Sequence, residues 1–192
     1  MSTEQVLDAA CDLVAHAGPD QVHLVDLARA CGVAVGTVYN HFASKEHLLA
    51  AVSAVAEDQV VASMDRAAPH SRPLRAALPA LTEALVQVAD ESPLIRVLLR
   101  SAPESAVQAT GEGPRIRAWI AARIAAAQAA GEVGPADAGV IAHLAYGLVR
   151  AGLPLVATGH PREEVTERLA SALAGLLPAT RPLTASTSRP PA

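Results

Sequence analysis

The chain has 192 residues, of which 51% are hydrophobic and 2% aromatic, and its formal net charge is −4. That length suits one domain of moderate size, or a small domain joined to a larger one. Alternating strand-like patterns are missing and alanine is abundant, so we predict an all-α fold. No apolar run of about 18 residues lacks charges or turn signals, and no cationic segment precedes an apolar one at the start. We therefore expect neither a membrane span nor a signal peptide, and a cytoplasmic location.

Two short helical patterns joined by a turn occupy residues 27–48. Gly32 lies between them and tolerates the positive φ that a tight turn between helices needs. Residues 35–41 form the second pattern, in which Val38 and Phe42 have the i, i+4 spacing of a core-facing pair. The remaining side chains of this pattern are mostly small or polar. This layout is typical of a helix-turn-helix, whose second helix enters the major groove of DNA.

The residues GVAVGTVYNHFASKEHL resemble the signature of the TetR (tetracycline-repressor) family of transcriptional regulators, and VLDAACDLVAHAG at 6–18 resembles that family's first helix. The resemblance covers about residues 6–52. It implies a three-helix DNA-binding head over 1–47 and a ligand-binding and dimerisation bundle over 48–178. The seven histidines are scattered along the sequence, so we predict no metal site, and we expect no cofactor. The resemblance also implies a homodimer that binds a pseudo-palindromic operator, most simply as a repressor released by a small apolar effector. By the same resemblance, the DNA-contacting positions are Thr37, Tyr39 and Lys45 at phosphates, and Val35, Gly36, Asn40 and His41 at base edges or the adjacent backbone.

Several positions in the head depart from the family pattern. Ala34 replaces the usual Ser or Thr at the start of the recognition helix, and Val22 and His23 stand where a capping Thr or Ser commonly touches phosphate. A lost cap costs roughly 0.5–2 kcal/mol of helix stability. Ser44, by contrast, is a suitable cap for the following helix.

The head is poor in fixed positive charge. Residues 1–47 contain Arg29 and Lys45 as the only fixed cations, against six carboxylates. The positive charge that attracts DNA phosphates must then come from histidines, from backbone N–H groups at helix starts and from the doubling of contacts in a dimer. The histidines concerned are His23, His41 and His47. Either the acidic residues face away from DNA, or DNA binding is weak.

Beyond residue 48 the sequence pattern predicts helices separated by Pro and Gly. We predict helices over 45–66, 73–91 with a kink at Pro79, 93–100, 114–130, 135–151 with Pro135 in its first turn, and 162–177. The intervening stretches are predicted as a loop over 103–113, a connection over 152–161 and a disordered tail over 179–192.

The last two long helices are unusually apolar, which suggests that they pair with a second subunit. Two helices from each of two chains would form a four-helix interface. The candidate interface residues are Ile141, Leu144, Leu148, Val165, Leu169 and Leu173. An ordinary core within one chain explains the same pattern.

Candidate ligand contacts are polar or aromatic residues in the helices that would enclose a pocket. They are Arg96, Arg100, Trp119, Arg123, His143 and Tyr146. An arginine beside an apolar cavity suits a carboxylate or phosphate. The alternative is that the charged ones are ordinary surface groups, and that His143 and Tyr146, which share a helix face, lie in the dimer interface.

The sequence also bears on redox, enzymatic and purely ligand-binding functions. Cys11 and Cys31 have the positions of reduced core thiols, with a redox switch as the alternative. No GxSxG, HExxH, CxxC, P-loop or dinucleotide motif is present, so we expect no enzyme. A ligand-binding protein of the same fold that has lost DNA binding remains the competing hypothesis.

Overall fold

The computed structural model describes residues 2–100 and 113–180, apart from the side chains of Arg100 and Ala157. In these ranges the chain forms nine α-helices and no β-strand, which confirms the predicted all-α class. The helices are α1 (Thr3–Ala17), α2 (Leu24–Cys31), α3 (Val35–His41), α4 (Lys45–Ala67), α5 (Leu74–Glu91), α6 (Pro93–Arg100), α7 (Pro114–Ala129), α8 (Ala138–Ala157) and α9 (Arg162–Leu176). The predicted loop over 103–113 and tail over 179–192 lie almost wholly outside the described residues.

Helix α1 begins earlier than the predicted 6–18 pattern because its first turn is capped. The Ser2 hydroxyl accepts from the backbone N–H of Gln5, and the Gln5 side chain accepts from the backbone N–H of Ser2. This reciprocal pair is a capping box, which satisfies two of the N–H groups that a helix start leaves free.

The predicted limits of α8 were wrong at both ends. The helix begins at Ala138, because the Asp137 carboxylate accepts from the N–H groups of Gly139 and Val140 at 2.8 and 3.0 Å. It also continues through Gly152 and Pro154 to Ala157, where the sequence predicted a connection. A Cβ at Gly152 would lie 2.6 Å from Cδ2 of Leu169, so glycine here permits α8 and α9 to pack closely. Tertiary packing therefore outweighs the poor helix propensity of Gly and Pro.

A single apolar core runs through the described chain, from Val6 in α1 to Leu177 after α9. Helices α1, α2 and α3 pack together at one end, and α5, α7, α8 and α9 form the body. Two helices connect these parts: α4 contacts both α1 and α7, and α6 packs on α1. The division into domains at residues 47 and 178 remains a proposal.

Among the described helices, Ala138–Val156 is long and apolar enough to cross a membrane by length and composition alone. Such a test is also passed by core helices, and 33% of this window is already buried within the chain.

Candidate DNA-binding surface and ligand cavities

The helix-turn-helix has the predicted geometry. Gly32 ends α2 with φ 66° and ψ 31°, the left-handed conformation expected for the turn. Val38 and Phe42 are buried at 0% and 3% exposure and hold α3 against α1 and α2. Tyr39 is 51% exposed and Asn40 is exposed beside it. The apolar side of α3 therefore fixes the helix, and its polar side faces outward.

The sequence predicts that α2 and α3 begin without a side-chain cap and that α4 begins with one, and the structure confirms these predictions. Ala34 at the start of α3 and His23 at the start of α2 make no side-chain capping hydrogen bond. Val22, at 2% exposure, belongs to the core. Ser44 does cap α4, since its hydroxyl accepts from the N–H of His47 at 3.2 Å. The amides at the starts of α2 and α3 therefore have no side-chain acceptor.

The few cations of the head are already engaged within the chain. Arg29 Nη1 is 2.9 Å from Asp26 Oδ1, and Lys45 Nζ donates to the carbonyl of Asp20 at 2.6 Å. His41 Nδ1 is 2.9 Å from the Thr3 hydroxyl, which ties the end of α3 to the start of α1. A DNA phosphate would have to compete with these interactions.

The remaining predicted DNA contacts lie on or beside the exposed side of α3. Gly36 is exposed, and Val35 and Thr37 are half-buried in the first turn of the helix. His23 is exposed at the start of α2. Val35 also packs partly against the hydrophobic core, and contact of the predicted set with DNA remains a proposal.

A mostly apolar cavity of about 110 Å³ lies in the body between α4, α5, α6, α7 and α8. Its polar lining comes from four residues: Ser53, Glu57, Tyr146 and Arg150. Apolar side chains such as Val60, Leu85 and Ile95 complete the wall. This composition, apolar with a few convergent polar groups, is usual for small-molecule sites.

Glu57 is buried at 8% exposure and caps α7 from another helix. Its Oε2 accepts from the backbone N–H groups of Arg115 at 2.8 Å and Ile116 at 3.3 Å. A carboxylate is favourable here because the N-terminus of a helix carries partial positive charge. Gly113, which precedes α7, supplies no side-chain cap. Glu57 therefore fixes α7 against α4 at the edge of the cavity.

Tyr146 reaches the same edge from α8. A Cβ on Gly113 would lie 2.4 Å from Cζ of Tyr146, and Gly113 has φ 64°, so glycine is required under the ring. Burial raises the pKa of the Tyr146 phenol, an effect that the neighbouring Arg150 opposes. The phenol therefore stays protonated at neutral pH and remains available as a hydrogen-bond donor.

A second apolar cavity, of about 60 Å³, contains two of the predicted ligand residues, Trp119 and Arg123. The Trp119 Nε1 donates to Asp65 Oδ1 at 2.7 Å, and its ring lies 5.9 Å from the guanidinium carbon of Arg123. The two cavities share lining residues in a common wall: Met64, Leu85, Ile120 and Val149.

The other predicted ligand residues lie elsewhere. Arg96 is exposed, donates to the carbonyl of Asp90 and borders a separate hollow beside Leu153. His143 is exposed, contacts Arg117 Nη1 at 3.3 Å and lines neither cavity. The side chain of Arg100 is outside the described part. The structure thus groups Tyr146 with one cavity and Trp119 and Arg123 with the other.

Residues 6–52 match the family of bacterial regulatory proteins called the tetR family. Over these residues the chain is similar to the TetR family. The members of that family are bacterial regulatory proteins. No curated protein sequence matches it.

Solved structures share the fold over nearly the whole chain. A Shewanella sp. PV-4 protein assigned to the tetR family is 20% identical, with a TM-score of 0.73 and coverage of 93% of this chain and 100% of its own. A TetR-family regulator from Pectobacterium atrosepticum is 22% identical, with a TM-score of 0.69 and coverage of 93% and 95%. RolR in complex with resorcinol is 16% identical, with a TM-score of 0.71 and coverage of 92% and 87%. At these identities the likeness establishes the fold alone.

The TetR-family fold places the predicted interface residues in two groups. Ile141 and Leu173, at 7% and 8% exposure, belong to the chain's own core, and Val165 and Leu169 are buried at 6% and 7%. Within the single chain these four are mostly covered, although Val165 and Leu169 also line a surface groove with Leu148 and Leu155. The assignment of the six residues to an interface stays a prediction. Leu144, at 51% exposure, does face outward, and Leu148 is half-buried.

Several site residues were not found from the sequence. Val140 and Leu155, 57% and 43% exposed, lie on the same face of α8 as Leu144 and extend it. Val140 lies four residues before Leu144 and Leu155 lies eleven residues after it, so helical periodicity could have placed all three on one face. Glu57 and Arg150 gave no such signal, because a single charged residue in a long helix is usually on the surface.

Replacing Glu57 tests its capping role. We expect Glu57→Ala to destabilise the protein by about 1–3 kcal/mol, because the first amides of α7 lose a buried acceptor. That cost corresponds to a fall in Tm of several degrees, measurable by circular dichroism. Asp58→Ala is the matched control, since its ion pair with Arg115 is on the surface and contributes little. A Tm for Glu57→Ala equal to that of the control would contradict the capping role.

Cys11 offers a test of the redox alternative. Burial, followed by the charges of Asp8 and Asp12, raises the pKa of its thiol to about 11. The neutral thiol therefore persists as the pH rises towards 11, and little reactive thiolate exists at pH 8. In a Cys31→Ser background, we expect iodoacetamide to alkylate Cys11 roughly two orders of magnitude more slowly than a free cysteine of pKa about 8.5. A rate at pH 8 like that of free cysteine would instead support a redox switch.

Proposed function

We propose that this chain is a ligand-responsive repressor of the TetR family that acts as a homodimer in the cytoplasm. Two copies of α3 would enter successive major grooves of a pseudo-palindromic operator, about 34–36 Å or slightly more apart. A small, largely apolar effector in the body would favour a spacing of the heads that does not fit the operator.

The observation that carries this proposal is the continuity of α4. This helix begins at Lys45, capped by Ser44, shortly after the recognition helix ends at His41, and it lines the cavity beside Tyr146 from Ser53 to Met64. Its 23 residues span about 35 Å at 1.5 Å per residue. An effector that shifts α4 in the cavity would therefore move the end of the helix that supports α3.

Helix α6 provides a second connection. Ile95, Leu98 and Leu99 line the cavity beside Tyr146, and α6 packs directly on α1 of the head. A ligand can shift the equilibrium between the conformation that fits the operator and the one that does not only if it binds one of them more tightly. Contacts on α4 and α6 supply two such routes.

The exposed face of α8 supports a homodimer. Val140, Leu144 and Leu155 are each more than two-fifths exposed in the single chain, together forming an apolar surface on one helix face. Large exposed apolar side chains that share a face are typical of protein interfaces. A second copy of α8 would cover this surface.

The effector is proposed to occupy the cavity beside Tyr146 and Arg150. RolR, of similar fold, was solved with resorcinol bound, which shows that a fold of this kind accommodates a single aromatic ring. A cavity of about 110 Å³ is likewise suited to a small molecule.

Binding of the chain to DNA from the flanks of its own gene, measured by gel shift, tests the function. Lack of any preference for this DNA over unrelated DNA would contradict it.

The second candidate is a ligand-binding protein of this fold with weak or lost DNA binding. The observation that favours it is the engagement of Arg29 by Asp26 and of Lys45 by the Asp20 carbonyl. These are the only fixed cations in residues 1–47. DNA affinity depends strongly on phosphate neutralisation, so few free cations mean weak binding.

Salt titration decides between a weak and a strong electrostatic contact. If a dimer neutralises about four phosphates, log K should fall against log salt with a slope of about −4. Fluorescence anisotropy with a labelled duplex measures this slope at several salt concentrations. A slope near −8 would mean about nine neutralised phosphates and a basic surface that the head does not show.

A further inference from the structure

The polar side chains of the cavity beside Tyr146 come from two facing helices. Ser53 and Glu57 are one turn apart on α4, and Tyr146 and Arg150 are one turn apart on α8. Burial raises the pKa of the Tyr146 phenol, Arg150 beside its hydroxyl lowers that pKa, and the charge of Glu57 raises it further. Both charges therefore act on the same hydroxyl, and these groups form one polar edge. The other lining side chains are apolar.

The lining of this cavity carries one charge of each sign. Glu57 supplies a carboxylate and Arg150 a guanidinium, and the other described residues that line the cavity are uncharged at neutral pH. A charged ligand would therefore meet a like charge as well as an opposite one. Its loss of hydration would be only partly compensated, which disfavours ions of either sign.

The polar edge offers both donors and acceptors of hydrogen bonds. Tyr146 can donate its phenolic proton, and the Arg150 guanidinium can only donate. The Oε2 atom of Glu57 accepts from the first amides of α7, and the carboxylate has a second oxygen as a further acceptor. A hydroxyl both donates and accepts, so it is the small neutral group that matches this edge.

The apolar part of the cavity has about the size of one ring. Its volume is about 110 Å³, and an apolar cavity of roughly 150 Å³ in another protein holds benzene. Met64 lies in the wall and, being unbranched, can change its rotamer to enlarge the space. A single ring with a small substituent is therefore a suitable occupant.

We propose that the effector is a neutral, ring-sized hydroxyl compound whose hydroxyl binds between Tyr146, Arg150 and Glu57 and whose apolar body fills the rest of the cavity. The inference rests on the proposed function in treating this cavity as the effector site. It extends that function by assigning the chemical class of the effector, and by assigning the selection against ions to the balance between Glu57 and Arg150.

Four probes of similar size, which differ in the polar group, test the inference by isothermal titration calorimetry on the full chain at pH 7. They are p-cresol, toluene, the anion 4-methylbenzoate and the cation 4-methylbenzylammonium. We expect the wild type to bind p-cresol at least about fivefold more tightly than toluene, because the hydroxyl adds hydrogen bonds. We expect it to bind p-cresol at least about tenfold more tightly than either ion. Tyr146→Phe keeps the ring and should remove most of the preference for p-cresol over toluene.

Removing one charge at a time should shift the selectivity in opposite directions. Arg150→Met leaves Glu57 uncompensated and should raise the affinity for the cation relative to p-cresol by at least about tenfold. Glu57→Gln keeps an oxygen that can accept from the α7 amides, and should raise the relative affinity for the anion by a similar factor. Arg66→Met and Asp58→Asn remove one charge of each sign at exposed positions of α4 outside the cavity, and should keep the wild-type order.

Three results would overturn the inference: an ion that binds the wild type as tightly as p-cresol, toluene that does so, or no binding of p-cresol at millimolar concentration. Should the cavity variants fail to fold, the order of the four probes on the wild type decides alone. Gel shifts without ligand separate the two levels. A chain with the expected order that binds no DNA contradicts the proposed repressor, whereas operator binding without that order contradicts only the class of effector.

Discussion

Tyr39→Phe should weaken binding to operator and to unrelated DNA by the same factor, about 30-fold for the dimer. The Tyr39 side chain is 51% exposed on α3, and its hydroxyl is proposed to contact a phosphate. A hydrogen bond is worth about 1 kcal/mol, and a dimer loses two of them. Phosphate contacts carry no direct sequence information, so specificity should not change.

Asn40→Ala should instead reduce sequence specificity more than overall affinity for DNA. Asn40 is exposed on the same side of α3 and is proposed to reach base edges. A good contact of this kind gives about 1–3 kcal/mol of discrimination, so two copies should reduce the operator preference by about 30-fold or more. Affinity for unrelated DNA should stay near the wild-type value.

Anisotropy titrations with operator and scrambled duplexes at one salt concentration measure both effects. Gln87→Ala, on the surface of α5, is the control. Wild-type affinities in both head variants would remove α3 from the DNA interface. Lys45→Ala is a poorer probe, because Lys45 also binds the Asp20 carbonyl and its loss would loosen the turn before α2.

Leu144→Arg is expected to convert the dimer to a monomer and to lower operator affinity by at least about 100-fold. Leu144 is 51% exposed in the single chain, so an arginine there is tolerated by the fold. In a dimer the same charge would be desolvated without a partner, which costs several kcal/mol. A single head has half the contacts, and the affinity falls accordingly.

Light scattering of the variant and the wild type at micromolar concentration measures the oligomeric state. Ala122→Arg places the same charge on an exposed position of α7 and should remain dimeric. A dimeric Leu144→Arg would show that α8 does not form the interface. A monomeric wild type would contradict the homodimer itself. Leu173→Arg is unsuitable here, because Leu173 is buried in the core and its loss would unfold the chain.

Local signals in the sequence were sufficient to predict the head. Gly32, Val38 and Ser44 act within one turn of themselves, through a positive φ, a buried face and a capping hydroxyl. The resemblance of the surrounding residues to a known family then indicated which side of α3 faces DNA. None of these inferences required knowledge of distant contacts.

The cavities and the interface could not be predicted in the same way, because they depend on how helices meet. Arg123 resembles any surface arginine in sequence, and its burial appears only when α5, α8 and α9 close over α7. Gly152 and Pro154 resemble a helix break until Leu169 is placed against α8. Apolar periodicity identified both α8 and α9, but it could not separate Ile141, which faces inward, from Leu144, which faces outward.

The scarcity of free cations in the head has a consequence for how such a regulator would be distributed in the cell. Attraction to bulk chromosomal DNA is almost entirely a matter of phosphate neutralisation. With Arg29 and Lys45 as the only fixed cations in residues 1–47, each already in contact with a group of its own chain, attraction of the proposed dimer to unrelated chromosomal DNA would be weak. Competition from the many unrelated sites, about 10⁶–10⁹ in a genome, would then be weak. A modest affinity for the operator would suffice for occupancy, and the free dimers would meet the effector in solution before they meet DNA.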